Sequence, residues 1–398
     1  MIVTADETYQ RPISPTEWIY LANPGESATI LQIFVEGTGV IELVALTEAV
    51  AAASVACPGA RLVRQGKFWI DSGRCPEVRV LDGASLDRVS FDNLPELNRP
   101  LRGDAGGPTT EVVLLMGVRP SVVFRAHHSV MDGVGLLRWM AEVFRALRDE
   151  PLHGAPSRET DTALVRRIGI PQGISSKRPK VDSTLRAPGG FHRRGGFVRR
   201  RTLMGNHSAL VAKLASTINE ECQLAQGAFF IPVDLRRHDA DLSSTGNLAL
   251  PIGIHLMPEA TWQQAHAKIL GALAKKTELA FFPHLSAIES LVKVPLGVLR
   301  PAGRLLDAIS SRTPRSTWSF SLSDLGRLDL GDYTTDTFEA ATVYSVPGRG
   351  YFFAPSFSLA QVHGHTEIVF SADDGPGMAE RGEELLDRIV EKISAIPA

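Results

Sequence analysis

The sequence has few cysteines and almost no imbalance of charge. Its 398 residues include 3 cysteines, Cys57, Cys75 and Cys222, which are too few and too scattered for a disulfide framework or a zinc knuckle. The 42 basic and 44 acidic residues give a net charge of −2, which provides no overall field to hold nucleic acid or an anionic membrane. We therefore expect no nucleic-acid partner, and buried or incidental thiols in a reducing cytoplasm.

Long apolar runs are also missing. No run approaches the ~20 residues that a membrane span requires. The N-terminal stretch reads MIVTADETYQRPISP, which is acidic and polar and lacks the basic-then-apolar layout of a signal peptide. No period of about 20–50 residues appears, which argues against a solenoid or a propeller. These absences favour a cytoplasmic globular protein without a membrane span.

The length of the chain predicts two lobes. Single cores tend to stop growing at about 250–300 residues. A polar stretch rich in Pro, Gly, Ser and Arg lies near the middle, and this is the composition of a linker or surface loop. We predict an N-terminal lobe over residues 1–170, a linker or basic loop over 171–203, and a C-terminal lobe over 204–398. Both lobes mix strands and helices in a comparable order, so the predicted fold class is α/β, or α+β, with mixed sheets.

The stretch RAHHSVMDGVG at residues 125–135 is unusual for a connection between a strand and a helix. Successive strand side chains point to opposite faces, so one of the two histidines can face the interior while the other faces a cleft. Asp132 stands where a helix N-cap belongs, and Gly133 permits close backbone approach. A neutral histidine can take a proton from an alcohol or an amine. A hydrogen-bonded core histidine and a plain N-cap remain the alternatives, whereas shared metal coordination by adjacent histidines is awkward, and we expect no metal.

The motif HHSVMDG has the form His-His-x-x-x-Asp-Gly and resembles the signature of the CoA-dependent acyltransferase superfamily. That superfamily includes chloramphenicol acetyltransferase, the condensation domains of nonribosomal peptide synthetases, wax ester synthases, plant acyltransferases and polyketide-associated acyltransferases. The resemblance implies two chloramphenicol-acetyltransferase-like lobes that form a V-shaped pseudo-dimer with a central tunnel.

Further stretches follow in the order expected for this superfamily. The run from Ile231 to Arg237 resembles the Pro-Val-Asn-Leu-Arg stretch of condensation domains, and Gly246-Asn247 followed by Pro251 resembles a Gly-Asn segment. Residues 319–326 occupy the place of a late Asp-Phe-Gly-Trp-Gly or Asn-x-Gly motif, and residues 57–62 resemble a His-Pro-x-Leu-Arg turn. The late motif lacks its Trp-Gly, which argues against the plant branch, and Asp324 replaces the asparagine of the bacterial alcohol acyltransferases.

The resemblance also implies roles for individual residues. His128 is the catalytic base and His127 its structural neighbour, while Asp132 and Gly133 complete the motif. Asp132 pairs with an arginine, for which Arg236 is favoured and Arg237 comes next. The substrate tunnel would be lined by Asn247, Ser321, Ser323 and Asp324, although each of these residues could instead be an ordinary turn or strand residue.

The implied activity is acyl transfer from a thioester to a small-molecule alcohol or amine in natural-product biosynthesis. The donor would be acyl-CoA or an acyl group on the phosphopantetheine arm of a separate acyl or peptidyl carrier protein, so the thioester is a co-substrate and no cofactor stays bound. Arg199 and Arg200 belong to a basic run that is either a solvated linker or a contact for CoA phosphates or for the carrier. A monomer suffices for this arrangement. The competing interpretation is a non-catalytic module that docks a carrier protein or partner enzyme.

Overall fold

The computed structural model describes residues 8–23, 29–103, 106–174, 181–182, 196–281, 289–310, 315–348 and 354–396. Within these residues the strands are β1 (Gln10–Pro12), β2 (Ile30–Gly39), β3 (Leu62–Gln65), β4 (Phe68–Asp71), β5 (Glu77–Asp82), β6 (Thr110–Met116), β7 (Ser121–His127), β8 (Val181–Asp182), β9 (Gly196–Met204), β10 (Gly227–Asp234), β11 (Ala249–Leu256), β12 (Arg315–Ser316), β13 (Phe320–Arg327), β14 (Phe338–Val346), β15 (Ser356–Val362) and β16 (His365–Asp373). The helices are α1 (Pro15–Ala22), α2 (Leu43–Ala56), α3 (Gly133–Leu147), α4 (Asp161–Ile168), α5 (Leu210–Glu221), α6 (Trp262–Ala274), α7 (Leu296–Ser310) and α8 (Met378–Ala395).

Two large mixed sheets organise the protein. The first has five strands in the order β14-β2-β7-β6-β5, and the second has six strands in the order β11-β10-β13-β15-β16-β9. In the first sheet only β5 and β6 run parallel, and in the second β13 runs parallel to both β10 and β15. A three-stranded sheet, β1-β4-β3, and the short pair β12-β8 complete the described strands. The predicted α/β class with mixed sheets is confirmed.

Each large sheet buries one face under helices. Val122 and Phe124 of β7 pack with α2 and α3 in the first core, whereas Phe320 and Leu322 of β13 pack with α5, α6 and α8 in the second. Val123, between the two β7 residues, points the other way and joins a third cluster with Val198 and Val369 of the second sheet. Because successive strand side chains point to opposite faces, the face of the first sheet that carries no helices packs towards the second sheet.

Two features differ from the predicted division of the chain. Residues 196–203, assigned from the sequence to the linker, lie in the edge strand β9 and pair with β16. The edge strand β14 comes from the C-terminal half of the chain but pairs with β2 in the first sheet. A polar, arginine-rich composition suits an edge strand as well as a loop, because one face of such a strand meets solvent. The rest of the predicted linker lies mostly outside the described residues.

Candidate active site

The histidine motif lies at the C-terminal end of β7, the central strand of the first sheet. The strand ends at His127, and α3 begins at Gly133, so the motif forms the whole connection. His127 is buried, with Nδ1 2.6 Å from Ser129 Oγ and Nε2 3.1 Å from Thr29 Oγ1. Because both of its ring nitrogens have hydrogen-bond partners, His127 is suited to a structural role.

His128 has a different environment. Its backbone N–H donates to the Thr29 carbonyl at 2.7 Å, and its carbonyl accepts from Asn247 Nδ2 at 2.7 Å. No hydrogen bond among the described residues engages either ring nitrogen, and Nδ1 is fully buried. Burial lowers the His128 pKa because it disfavours the charged ring, and the carbonyls of His128 and Met131, with Asp132, oppose that shift without reversing it. A neutral imidazole near ordinary pH is the form that can accept a proton.

An aromatic ring covers one face of this imidazole. Tyr20, near the end of α1, stacks on His128 with ring centroids 4.4 Å apart and an interplanar angle of 11°. Tyr20 could not be predicted from the sequence, because it is more than 100 positions from the motif and lies in none of the stretches that resemble the superfamily. Burial also raises the pKa of the Tyr20 phenol, so the hydroxyl stays protonated.

Asp132 joins the motif to the second half of the chain. Its Oδ1 accepts from the Gly135 N–H at 2.7 Å and so caps α3, while Oδ2 accepts from the Leu248 N–H at 2.7 Å. Arg236 Nη1 lies 3.1 Å from the same Oδ2, and both side chains are almost completely buried. Arg237, the second choice from sequence, contacts Glu278 instead, at 3.1 Å.

Arg236 fixes the segment that carries Asn247. Its Nε donates to the Ser244 carbonyl at 3.0 Å and its Nη2 to the Gly246 carbonyl at 2.6 Å. Burial disfavours the charge on Arg236, but Asp132 and Asp234 outweigh that effect and raise its pKa. Asp132, Arg236, Asn247 and His128 therefore form one connected group of polar contacts.

The motif glycines accommodate neighbouring segments. A Cβ on Gly135 would lie 2.2 Å from the Thr245 carbonyl oxygen, so only glycine allows this backbone contact. A Cβ on Gly133 would meet Leu325 Cδ2 at 2.7 Å, which places the end of β13 against the motif. The sequence pointed to Gly133, whereas the tighter backbone constraint is at Gly135.

Ser321, Ser323 and Asp324 all lie on β13, but none has a described side-chain contact with His128. Ser321 pairs with Phe230 of β10 and Ser356 of β15, on the face opposite Leu322 and the helices. Asp324 Oδ1 accepts from the Gly326 N–H at 2.8 Å. Desolvation raises the pKa of the Asp324 carboxyl, and the Gly326 N–H opposes that shift.

The two arginines from the basic run have carboxylate partners within the protein. Arg200 donates to both oxygens of Glu367 at 2.8 Å, and its guanidinium lies 3.8 Å from the centre of the Tyr344 ring. Arg199 contacts Glu383 at 3.1 Å and Asp92 at 3.3 Å. A phosphate at either arginine would have to compete with these ion pairs.

Across the described ranges, no group of three or more His, Cys, Asp or Glu side chains is arranged to hold a metal ion. No helix in the described part of the chain is both long and apolar enough to cross a bilayer.

The chain matches no family model and no curated protein sequence, but its fold resembles solved structures. The first condensation domain of the CDA synthetase is 14% identical with a TM-score of 0.63, covering 98% of this chain and 96% of that one. A double mutant of the starter condensation domain of rhizomide synthetase RzmA, in complex with C8-CoA and Leu-SNAC, is 14% identical with a TM-score of 0.60, covering 97% and 94%. The condensation domain of Monacolin K polyketide synthase MokA is 12% identical with a TM-score of 0.59, covering 99% of each chain. The protein therefore has the fold of condensation domains along almost its whole length.

Proposed function

We propose that the protein is an acyltransferase that moves an acyl group from a thioester to an alcohol or amine, in natural-product biosynthesis. The observation that carries this proposal is the environment of His128. Hydrogen bonds from its backbone to Thr29 and Asn247 fix the position of this residue. Burial favours the neutral imidazole, and neither ring nitrogen has a hydrogen-bond partner among the described residues. Such a group is available to accept a proton from a bound nucleophile.

The ring geometry favours Nε2 as the accepting atom. Nδ1 is buried near the carbonyl oxygens of His128 and Met131, which favour a proton on Nδ1 although neither forms a well-aligned hydrogen bond. In the neutral ring, a proton on Nδ1 leaves the lone pair on Nε2. His128 would thus present Nε2 to the acceptor's O–H or N–H.

The reaction then proceeds by direct transfer. As Nε2 takes the acceptor's proton, the oxygen or nitrogen forms a bond to the thioester carbonyl carbon. The carbonyl π electrons move onto oxygen, giving a tetrahedral oxyanion. When the oxyanion collapses, the carbon–sulfur bond breaks and the thiolate leaves with that electron pair, taking the proton held on Nε2. The products are an ester or amide and a free thiol, and the imidazole is again neutral.

Two cysteines are poor candidates for a covalent intermediate. Burial raises the pKa of Cys57 and of Cys222 to about 12, so the reactive thiolate is scarce at either position. The absence of a G-x-S-x-G elbow in the sequence likewise gives no support to a serine acyl-enzyme. These features favour transfer without an acyl-enzyme, with the rate gain coming largely from bringing the two substrates together.

The space between the two large sheets is the proposed tunnel. The face of β13 with Ser321 and Ser323 would form one wall, and Asp324 and Asn247 would lie nearer the motif. A hydroxyl on β13 or a motif backbone amide would stabilise the oxyanion. We further propose a cytoplasmic monomer, two lobes, and a donor presented on CoA or on a carrier protein. The double mutant of the rhizomide starter domain, which is in complex with C8-CoA and Leu-SNAC, supports this thioester chemistry by analogy of fold.

A thiol-release assay tests the proposal. The protein is incubated with acyl-CoAs of increasing chain length and with acyl-carrier thioesters, each with and without a set of alcohols and amines. Thiol release that requires an acceptor, with ester or amide detected by mass spectrometry, supports acyl transfer. Tight binding of the carrier thioesters with no acceptor-dependent release would contradict the proposal and favour the docking module.

A further inference from the structure

We propose that Tyr20 is a positioning residue for His128, which holds the imidazole plane and stabilises its protonated form through ring stacking. The inference rests on the proposed function, in which His128 gains and then returns a proton. It adds a residue that lies in none of the sequence stretches resembling the acyltransferase superfamily.

The first observation is that the usual orienting contact is missing. A histidine that moves protons is normally fixed by a hydrogen bond from its second ring nitrogen to a carboxylate or carbonyl. His128 Nδ1 lies near the carbonyls of His128 and Met131 but forms no well-aligned hydrogen bond in the described residues. The Asp132 carboxylate is engaged by Arg236, Gly135 and Leu248 instead. A well-aligned hydrogen bond therefore does not fix the plane of this ring.

The second observation is the position of Tyr20. The phenol ring lies nearly parallel to the imidazole, with an interplanar angle of 11° and centroids 4.4 Å apart. Stacking covers a face of the ring, whereas a proton is accepted in the ring plane at the Nε2 edge. The contact thus restrains the imidazole without occupying the position of the reacting atom.

The third observation is that α1 is firmly anchored. Ser14 and Glu17 form a reciprocal capping box at its start, and the buried Arg11 pairs with Glu17 at 2.7 Å. Trp69 Nε1 donates to Glu17 at 3.2 Å, and further along the helix Arg300 Nη2 donates to the Leu21 carbonyl at 2.9 Å. Because both ends of this short helix are tied to other elements, it can hold Tyr20 against His128 through the reaction.

The stacked ring also has an electrostatic effect. Burial penalises the imidazolium, and the carboxylate of Asp132, the nearest acidic group in the motif, is already paired with Arg236. The face of an aromatic ring attracts a cation, so the Tyr20 ring favours the protonated imidazole. The phenol stays neutral because burial raises its pKa, so Tyr20 does not compete as a base.

Three variants separate these effects. Tyr20→Phe keeps the ring, Tyr20→Leu removes it, and Tyr9→Leu removes a part-buried tyrosine that contacts Ser157 and Arg158 instead. The His128 ring is titrated by NMR in the protein labelled at histidine with ¹⁵N and ¹³C, with its signals assigned by their loss in His128→Gln. We expect Tyr20→Leu to lower the His128 pKa by about 0.5 unit or more, and Tyr20→Phe and Tyr9→Leu to leave it near the wild-type value.

The kinetic readout uses the same variants. We expect Tyr20→Leu to lower kcat by roughly tenfold with a smaller change in KM, and Tyr20→Phe to restore most of the rate. An unchanged His128 titration in Tyr20→Leu, or an equal shift in Tyr9→Leu, would overturn the inference. The titration does not require turnover, so it tests the stacking even if the proposed reaction does not occur. Failure of the proposed function would appear instead as a lack of thiol release by the wild type.

Discussion

At the scale of single residues, the pKa of His128 determines when the proposed base is available. Burial lowers this pKa below its usual value of about 6.5, so the ring stays neutral to lower pH than an exposed histidine. We expect kcat/KM for thiol release to be flat near neutral pH and to fall on acidification with a midpoint below about 6.5. A pH profile with a midpoint above 7 would contradict the assignment.

Gly135 and Gly133 make a matched pair for testing how tightly the motif is packed. A Cβ at position 135 would meet a backbone oxygen that cannot move independently, whereas at position 133 it would meet the tip of a leucine side chain. We therefore expect Gly135→Ala to lower the free energy of unfolding by about 1–3 kcal/mol. Gly133→Ala serves as the control and should cost clearly less in denaturant unfolding. If Gly133→Ala lowered the free energy of unfolding more than Gly135→Ala, the close packing of Thr245 against α3 would be contradicted.

Local sequence revealed part of this site. The spacing from His127 to Gly133 and the arginine at 236 were recognised as short motifs, and the structure brings Asp132, Arg236, Asn247 and His128 together. Tyr20 was not found because stacking between distant residues leaves no mark in local spacing. The ion pairs of Arg199 and Arg200 were missed for the same reason, since their partners lie as many as 184 positions away.

At the scale of elements, one buried ion pair connects α3 to the segment before β11. Asp132 and Arg236 are both almost fully buried, and removal of Arg236 would leave the Asp132 carboxylate without an ion partner. Removal of Asp132 would leave Asp234 as a carboxylate partner of Arg236, but would also remove the cap of α3 and the contact with the Leu248 N–H. We expect Asp132→Ala to cost about 3 kcal/mol or more in unfolding free energy and also to slow the reaction. Arg388→Ala, which breaks an exposed pair with Glu221, should cost no more than about 1 kcal/mol.

A double-mutant cycle with Arg236→Ala identifies the source of that cost. If the two side chains act as a pair, the double variant will be less destabilised than the sum of the single variants. Strict additivity, or an Asp132→Ala variant as stable as the wild type, would refute the pairing.

A second element-level prediction concerns the start of α4. Asp161 is buried there, and burial raises its pKa to about 6, with Oδ2 lacking a well-aligned partner in the described residues. The folded state holds this proton more tightly than the unfolded chain, so the group's contribution to stability is lost as pH rises from about 4 through 6. As the pH rises, we expect the free energy of unfolding of Asp161→Asn to increase relative to that of the wild type, by up to about 3 kcal/mol.

The measurement is denaturant unfolding between pH 4.5 and 7.5. The exposed Asp241→Asn variant is the control and should follow the wild type at every pH. A wild-type-to-Asp161→Asn difference that stays constant across the range would show that Asp161 does not retain a proton in the folded state.

At the scale of the whole molecule, the division of the chain between the two sheets differs from the one that the sequence indicated. The first sheet includes a strand from the C-terminal half of the chain. The sequence of residues 337–346 is typical of a strand, but it does not say which sheet that strand joins. The structure places β14 beside β2, so the first sheet depends on residues from the far half of the chain. Arg200, Glu367 and Thr342 then connect β9, β16 and β14 across the two sheets. Length and composition predict two lobes, but they do not predict this placement of β14, which depends on long-range pairing.

The central claim is that His128 accepts the proton during acyl transfer from a thioester. The most direct measurement compares acceptor-dependent thiol release by wild type, His128→Ala and His363→Ala, with circular dichroism to verify that each variant is folded. His363 is exposed, so His363→Ala controls for loss of a histidine alone. We predict wild-type rates in His363→Ala and a loss of about 10²-fold or more in His128→Ala. A folded His128→Ala variant that turns over at the wild-type rate would contradict the account.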